Sequence, residues 1–211
     1  MNVSARRPLC GDKTYPPLED AVIARRLVLS AALLFALPAA AQNAKMYSVK
    51  KEASSLTYKL IHKMHTVSGK AAPSEGKAVL KPDGTLQVAV RAQVKDFDSQ
   101  NSNRDTHMLE VTEAAKYPLV EVKAVGTGVK PPATFPGSVP VTLKGKLTFH
   151  GVTKDVEIPM TVKFDSEKQV TADGSFKISL EGYNIERPTL LLVKVDDELV
   201  LEPHLVFTEG T

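Results

Sequence analysis

At 211 residues, 43% hydrophobic and 24% charged, the chain has the make-up of an ordinary globular protein, which excludes a disordered chain and a polytopic membrane protein. Its formal charge of +3 includes no run of five or six basic residues. Nothing in it would track a phosphate backbone, so nucleic acid is not an expected partner.

The first feature in chain order is a leader. Arg25 and Arg26 precede an apolar run over 27–37, followed by Pro38-Ala39-Ala40-Ala41-Gln42. A basic flank, an apolar stretch and small residues at its end read as a secretory signal peptide cut after Ala41. A membrane anchor is the rival reading, but the 15 residues 27–41 fall short of the ~20 that a spanning helix needs, so no stable span is expected after cleavage. The residues ahead of the arginines carry Asp12, Glu19, Asp20 and three prolines, which is unusual for a signal and points to a translation start nearer Val22. The arginine pair also raises twin-arginine export, which its flanks fit poorly.

The expected division is therefore an extension and signal over 1–41 and one domain over 42–211. Those 170 residues can bury a real core, and losing a leader with five Lys/Arg and three Asp/Glu leaves a net charge of +1. The single cysteine, Cys10, departs with the leader. Disulfides, thiolate catalysis and Cys-ligated metals are then excluded, and the fold stands on packing alone.

From Met46 onward, period-two alternation dominates. A first strand is expected near 47–51, and Leu56, Tyr58 and Leu60 alternate with Thr57 and Lys59. Another strand is expected near 77–81. The clearest case runs from Leu86 to Lys95, where Leu86, Val88, Val90, Ala92 and Val94 are apolar and the intervening positions are mostly polar. Val120, Val122 and Ala124 continue the pattern, then Val141, Leu143, Leu147 and Phe149, with Gly145 marking a bend or close approach. Val156, Ile158, Met160, Val162 and Phe164 form the next face, followed by Ala172, Gly174, Phe176, Ile178 and Leu180, and 199–207 closes the chain. Tight connections are expected at Pro82-Asp83-Gly84 and His150-Gly151-Val152.

One patch breaks the alternation. Residues 101–116 read as a short helix with Ser102 or Asn103 as N-cap, ending before Tyr117-Pro118, and such a helix could cover one end of a barrel. Residues 126–140 read as a Pro- and Gly-rich loop long enough to be a mobile flap or a variable linker, the linker being the favoured reading. About eight one-face-apolar strands joined by short turns can form either a two-sheet sandwich or a closed barrel, and the alternation does not choose between them.

Three segments carry a resemblance. Asp96-Phe97-Asp98-Ser99, with Asn103-Arg104-Asp105-Thr106-His107-Met108 and Lys116-Tyr117-Pro118, resembles the middle signature of the YceI-like family of polyisoprenoid-binding proteins. Residues 145–154, Gly-Lys-Leu-Thr-Phe-His-Gly-Val-Thr-Lys, resemble its recurrent hairpin, and Gly182-Tyr183-Asn184-Ile185-Glu186-Arg187-Pro188 ahead of Val195-Asp196-Asp197-Glu198 is a third match. The resemblance spans about 47–207. It implies an all-β, eight-stranded antiparallel lipocalin-like barrel, export to the bacterial periplasm, and a long isoprenoid or similar amphiphilic lipid as ligand, for transport, storage or stress response. The matched motifs imply architecture and no catalytic set. Gly182 stands where relatives commonly carry Asp, and the Pro-rich loop is longer than expected.

An eight-stranded barrel either fills its interior or holds one small ligand. The candidate lumen residues are Tyr58, Leu60, His62, Val88, Val90, Ala92, Val120, Val122, Leu143, Leu147, Phe149, Ile158, Met160, Phe176 and Ile178, with Arg187 as a candidate partner for an anionic head group. These side chains are mostly medium or small and the chain has no Trp. They can leave a cavity or simply interdigitate, and the resemblance favours the cavity. His62 can equally be a solvated strand-end histidine, and Arg187 a salt-bridged backbone clamp.

No enzyme is expected. His62 and His65, three apart on one expected strand, would face opposite ways and make a poor metal pair. His107, His150 and His204 are scattered, Arg104-Asp105-Thr106-His107 reads as helix-start electrostatics, and no nucleophile elbow, phosphate loop or dinucleotide fingerprint occurs. No cofactor beyond the bound lipid is expected. A homodimer is compatible with the sequence, as is an interaction module with a filled barrel. An enzyme acting on a lipid-like substrate would need a polar pair inside the lumen.

Overall fold

The alternating segments form strands that bond edge to edge into a closed ring. A computed structural model describes residues 43–62, 65–190 and 193–210; the expected leader and its expected cleavage site lie outside the described residues. The strands are β1 (Lys45–Val49), β2 (Ser55–His62), β3 (His65–Ala71), β4 (Glu75–Leu80), β5 (Leu86–Gln93), β6 (Leu119–Gly126), β7 (Gly137–Phe149), β8 (Val152–Phe164), β9 (Gln169–Gly174), β10 (Phe176–Ser179), β11 (Thr189–Leu190), β12 (Val193–Lys194) and β13 (Glu198–Glu209), with one helix, α1 (Ser102–Val111), between β5 and β6.

The ring runs β1-β4-β5-β6-β7-β8-β9-β13 and closes where β13 returns to β1, with Tyr47 opposite Glu209 and Val49 opposite Phe207. Three of its staves are bent. β1 continues as β2 past a 3-10 turn at Lys51–Ala53, β3 continues as β4, and β9 continues as β10. β13 is long enough to pair both halves of its neighbours, β9 and β10 on one side, β1 and β2 on the other. The result is an eight-stranded antiparallel barrel whose neighbours in space are neighbours in sequence. Closure settles the choice between sandwich and barrel, because first and last strands satisfy each other's edges.

Turn chemistry sets the registers. Gly84 takes φ +82° and its N–H donates to the Lys81 carbonyl at 3.0 Å, while the Asp83 carboxylate accepts the Thr85 N–H at 2.8 Å. That Thr85 bond is the main reason the Asp83 carboxyl lies below its ordinary range. His150 and Gly151, at φ +48° and +73°, make the two-residue turn of the β7–β8 hairpin, the geometry that matches strand twist.

Four readings of the sequence need correcting. β3 gives no alternation signal of its own, because Gly69 breaks its inner row; the Tyr58 ring lies across that gap, and a Cβ on Gly69 would sit 2.5 Å from it. The stretch 172–180 is two strands, broken after Gly174. The linker is shorter than 126–140, since β6 reaches Gly126 and β7 begins at Gly137. Pro140 fits inside β7 because β6 pairs only with residues 144–148 of it, leaving that edge free of ladder bonds. Finally, His62 and His65 are not on one strand: they are register partners at the ends of β2 and β3, so parity within one strand does not apply to them. Their side chains lie outside the described residues. Among the described residues no group of three or more His, Cys, Asp or Glu is gathered as a metal site would need.

The three motifs build the end of the barrel that α1 covers. Asn101, one residue ahead of the expected caps, accepts the Arg104 N–H at 3.1 Å and starts the helix. Arg104 then donates to the Ser99 carbonyl at 2.7 Å and the Ser99 hydroxyl at 2.8 Å, while Asp105 accepts the Ser99 N–H at 3.1 Å and its hydroxyl at 2.5 Å. Helix-start charges thus also clamp the chain entering the helix. The hairpin motif carries Lys146–Asp155 and Thr148–Thr153 pairs on its outer face, each at 2.8 Å. Its His150 donates from Nδ1 to the Tyr183 carbonyl at 2.9 Å, a carbonyl being only an acceptor. In the third motif a 3-10 turn at Glu181–Tyr183 ends on Asn184 at φ +58° and buries Tyr183 and Ile185.

Two outcomes follow from these contacts. A Cβ on Gly145 would overlap the Lys123 carbonyl oxygen and Ala124 Cα, so Gly145→Ala should force β6 and β7 apart and lower stability by about 1–3 kcal/mol, read as a drop in the urea midpoint. An unchanged midpoint would show that the strands tolerate wider spacing. Burial pushes the Tyr183 hydroxyl up to about 12, above its unfolded value near 10. The neutral ring therefore contributes fully below about pH 10, and stability falls as pH rises from about 10 through 12. Tyr183→Phe should flatten that part of the stability-against-pH curve, and a curve of unchanged slope would assign the alkaline loss to other groups.

Candidate functional site

Closure leaves one face of every stave inside, and that inside is unevenly filled. At one end Tyr47, Leu80, Leu86, Val129, Phe164 and Phe207 pack into a plug. Toward the other end the inner residues do not meet across the axis, and a cavity of about 270 Å³ remains. Its wall comes from Leu56, Tyr58 and Leu60 on β2, Val88, Val90 and Ala92 on β5, Val120 and Val122 on β6, and Leu143, Leu147 and Phe149 on β7. Ile158 and Met160 on β8, Phe176 and Ile178 on β10, and Leu199, Leu201 and Leu205 on β13 complete it. A second cavity of about 50 Å³ lies among the plug residues.

α1 roofs the larger cavity. Arg104, His107, Met108, Val111 and Thr112 all contribute to its lining, and their spacing of three, one, three and one places them on one helical face. Ile185, Pro188, Thr189 and Val195 add to the lining from the segment that follows the third motif.

Tyr58, Leu60, Val88, Val90, Ala92, Val120, Val122, Leu143, Leu147, Phe149, Ile158, Met160, Phe176 and Ile178, all expected to face the lumen, line this one cavity. The side chain of His62 lies outside the described residues. Arg187 is not in the wall. It pairs with Glu181 at 2.7 Å and donates to the Val195 carbonyl at 3.3 Å, the contacts of a salt-bridged backbone clamp. Sequence reasoning missed the lining from β13 and α1. The odd-numbered row Leu199, Leu201 and Leu205 carries the same parity signal as the other strands, and Met108 with Val111 carries the helical one.

The charged side chains in the lining have partners. Arg91 pairs with Glu121 at 2.8 Å and Glu75 at 3.4 Å, Glu202 with Lys59 at 2.8 Å, and His107 with Glu110 at 3.5 Å. Burial raises the Tyr58 hydroxyl above its ordinary range, Asp105 adds to that, and Arg104 with Ser99 offsets part of it. The Tyr58 ring packs against Phe97 with centroids 5.7 Å apart. Deeper in, around Val90, Val122, Ile158 and Met160, the wall is hydrocarbon and thioether. Such a lining offers burial and dispersion to an apolar group and penalises an unpaired charge.

Among the described residues, no helix is long and apolar enough to cross a membrane. Solved structures share the fold, among them the following two. A polyisoprenoid-binding domain from Saccharophagus degradans superposes with a TM-score of 0.62 at 15% identity, over 78% of this chain and 98% of that one. BcnA from Burkholderia cenocepacia gives 0.59 at 21% identity, over 75% and 98%. No curated protein matches the chain. The YceI-like domain profile matches residues 47–207, from the strand that opens the ring to the strand that closes it, and the chain belongs to the YceI-like domain family.

Proposed function

We propose that this protein is an exported, periplasmic binding protein that holds the apolar tail of an isoprenoid or similar amphiphilic lipid in its barrel, for transport, storage or stress response. The observation that carries the reading is the roofed cavity of about 270 Å³ with an almost wholly apolar wall. An interaction module with a filled barrel has no use for such a space. The structural neighbour described as polyisoprenoid-binding supports an isoprenoid as the ligand class, and the leader over 25–41 supports export.

At roughly 30 Å³ per water- or methylene-sized group, the cavity holds about nine groups of a tail at once. Burial at ~0.8 kcal/mol each yields on the order of 7 kcal/mol before ordering and association costs. A longer chain leaves its remainder, with the polar head, at the mouth under α1. We read the protein as a binder and not an enzyme, because Arg91 and Glu202 are tied into ion pairs, His107 lies against Glu110 on the helix, and no acid–base couple faces the deep wall among the described residues.

Val90 and Val122 sit directly opposite each other on β5 and β6 and both line the cavity. Val90→Arg or Val122→Asp should weaken uptake of a hydrophobic dye or a polyprenol by about 100-fold or more, the consequence of about 2–3 kcal/mol or more for a charge without a partner. Val125→Asp, on the exposed outer face of β6, should leave uptake unchanged. Folded lumen variants that still take up the dye would place the ligand elsewhere. Native mass spectrometry of protein from its own host should show an apolar molecule bound, and an empty barrel under those conditions would count against the carrier.

A further inference from the structure

The two cavities share four wall residues, Val88, Leu143, Met160 and Leu205. These come from β5, β7, β8 and β13, which are distributed around the ring, so together they form a girdle across the lumen. Leu143, Met160 and Leu205 are buried. On one side lies the larger chamber; on the other, the small one floored by Tyr47, Phe164 and Phe207.

Met160 differs from its three companions in having an unbranched, flexible side chain that adapts to irregular space. It also has a berth. Gly174 stands opposite it on β9, and a Cβ on Gly174 would overlap the Met160 sulfur. The missing side chain at Gly174 is the room in which the thioether lies. We infer that Met160 is a specificity-determining residue: it partitions the lumen and so sets the length of apolar tail that is buried. The inference rests on the carrier reading and adds to it a stated residue and a stated length.

With the partition in place, the larger chamber takes about nine carbons. Removing it adds the roughly 50 Å³ chamber, about two more groups at roughly 30 Å³ each, and the space of the three heavy atoms that Met→Ala deletes. The capacity of the joined chamber is then about fourteen carbons. Each methylene that gains burial raises affinity about fourfold, and each one left at the mouth adds little.

The test is a series of saturated fatty acids of roughly eight to sixteen carbons, each displacing an environment-sensitive dye from the full protein below its micellar threshold. Wild type should gain about fourfold per carbon up to about nine and then level off. In Met160→Ala the levelling-off should move to about fourteen, while Met160→Leu, which keeps the volume, should behave as wild type. Leu205→Ala, on the other side of the girdle, should move the plateau the same way and covers the case in which Met160→Ala does not fold. An unbroken rise through sixteen carbons in wild type, or a plateau that stays put in both alanine variants while tails still bind, overturns the partition and leaves the carrier standing. Failure of every tail to displace the dye overturns the carrier itself.

Discussion

The pairing of β1 with β13, Tyr47 against Glu209 and Val49 against Phe207, is the constraint from which the other features follow. Without it, the sheet would have two edges to protect and no enclosed side. With it, each strand's two-residue period becomes a division between a wet outside and a sealed inside. The outside carries cross-strand ion pairs such as Lys144–Glu157, Lys146–Asp155 and Lys177–Glu198. Exposed pairs of this kind contribute little individually. Stability must come from the inner row, so the same residues that hold the fold also decide whether there is space inside it.

Those two demands conflict, and the barrel answers by dividing its length. Side chains such as Tyr47, Phe164 and Phe207 fill the plugged end, while at the other end Val90, Ala92 and Val122 leave space among larger neighbours such as Tyr58, Phe149 and Phe176. An unfilled space of about 270 Å³ forgoes packing on the order of 6 kcal/mol at the ~24 cal/mol per Å³ found for engineered cavities, comparable with the whole net stability of an ordinary domain. The well-packed plug and the hydrogen-bonded motifs at the mouth offset that loss. A tail entering the cavity restores contacts that the empty barrel lacks, so binding and folding stability are linked here through one set of residues.

How much of this is legible in the sequence depends on whether a residue speaks through its own neighbours. Val88, Val90 and Ala92 announce a buried face because polar residues alternate with them, and the fourteen lumen residues found by that logic all reach one cavity. β3 is silent because Gly69 supplies no side chain to its inner row and is covered by Tyr58 from the next strand. The pairing of His62 with His65 escapes a parity argument, because parity applies only within one strand and no residue pattern separates β2 from β3. Arg187 is the opposite case, a charge whose partners, Glu181 and the Val195 carbonyl, lie within eight residues, but whose turn geometry cannot be read from spacing. Closure itself joins residues at the two ends of the domain, and no local pattern reports it.

The motifs that make the family recognisable are made mostly of clamp and turn residues, with Leu147 and Phe149 alone reaching into the barrel wall from the hairpin motif, and there is a physical reason for that. A clamp such as Ser99 with Arg104 and Asp105, or a turn such as His150-Gly151, works only with particular donors, acceptors and backbone angles, so it fixes residue identities. A lumen wall needs only apolar side chains of suitable total volume, a condition that many sequences satisfy. Family membership is therefore written in the lid and the turns. Ligand choice is written in volumes, in whether a girdle position holds a valine, a leucine or a bendable thioether, and in whether the strand opposite offers a glycine for it to lie against. Two chains can share every motif and hold different tails, and the place to look for that difference is the width of the lumen halfway down its axis.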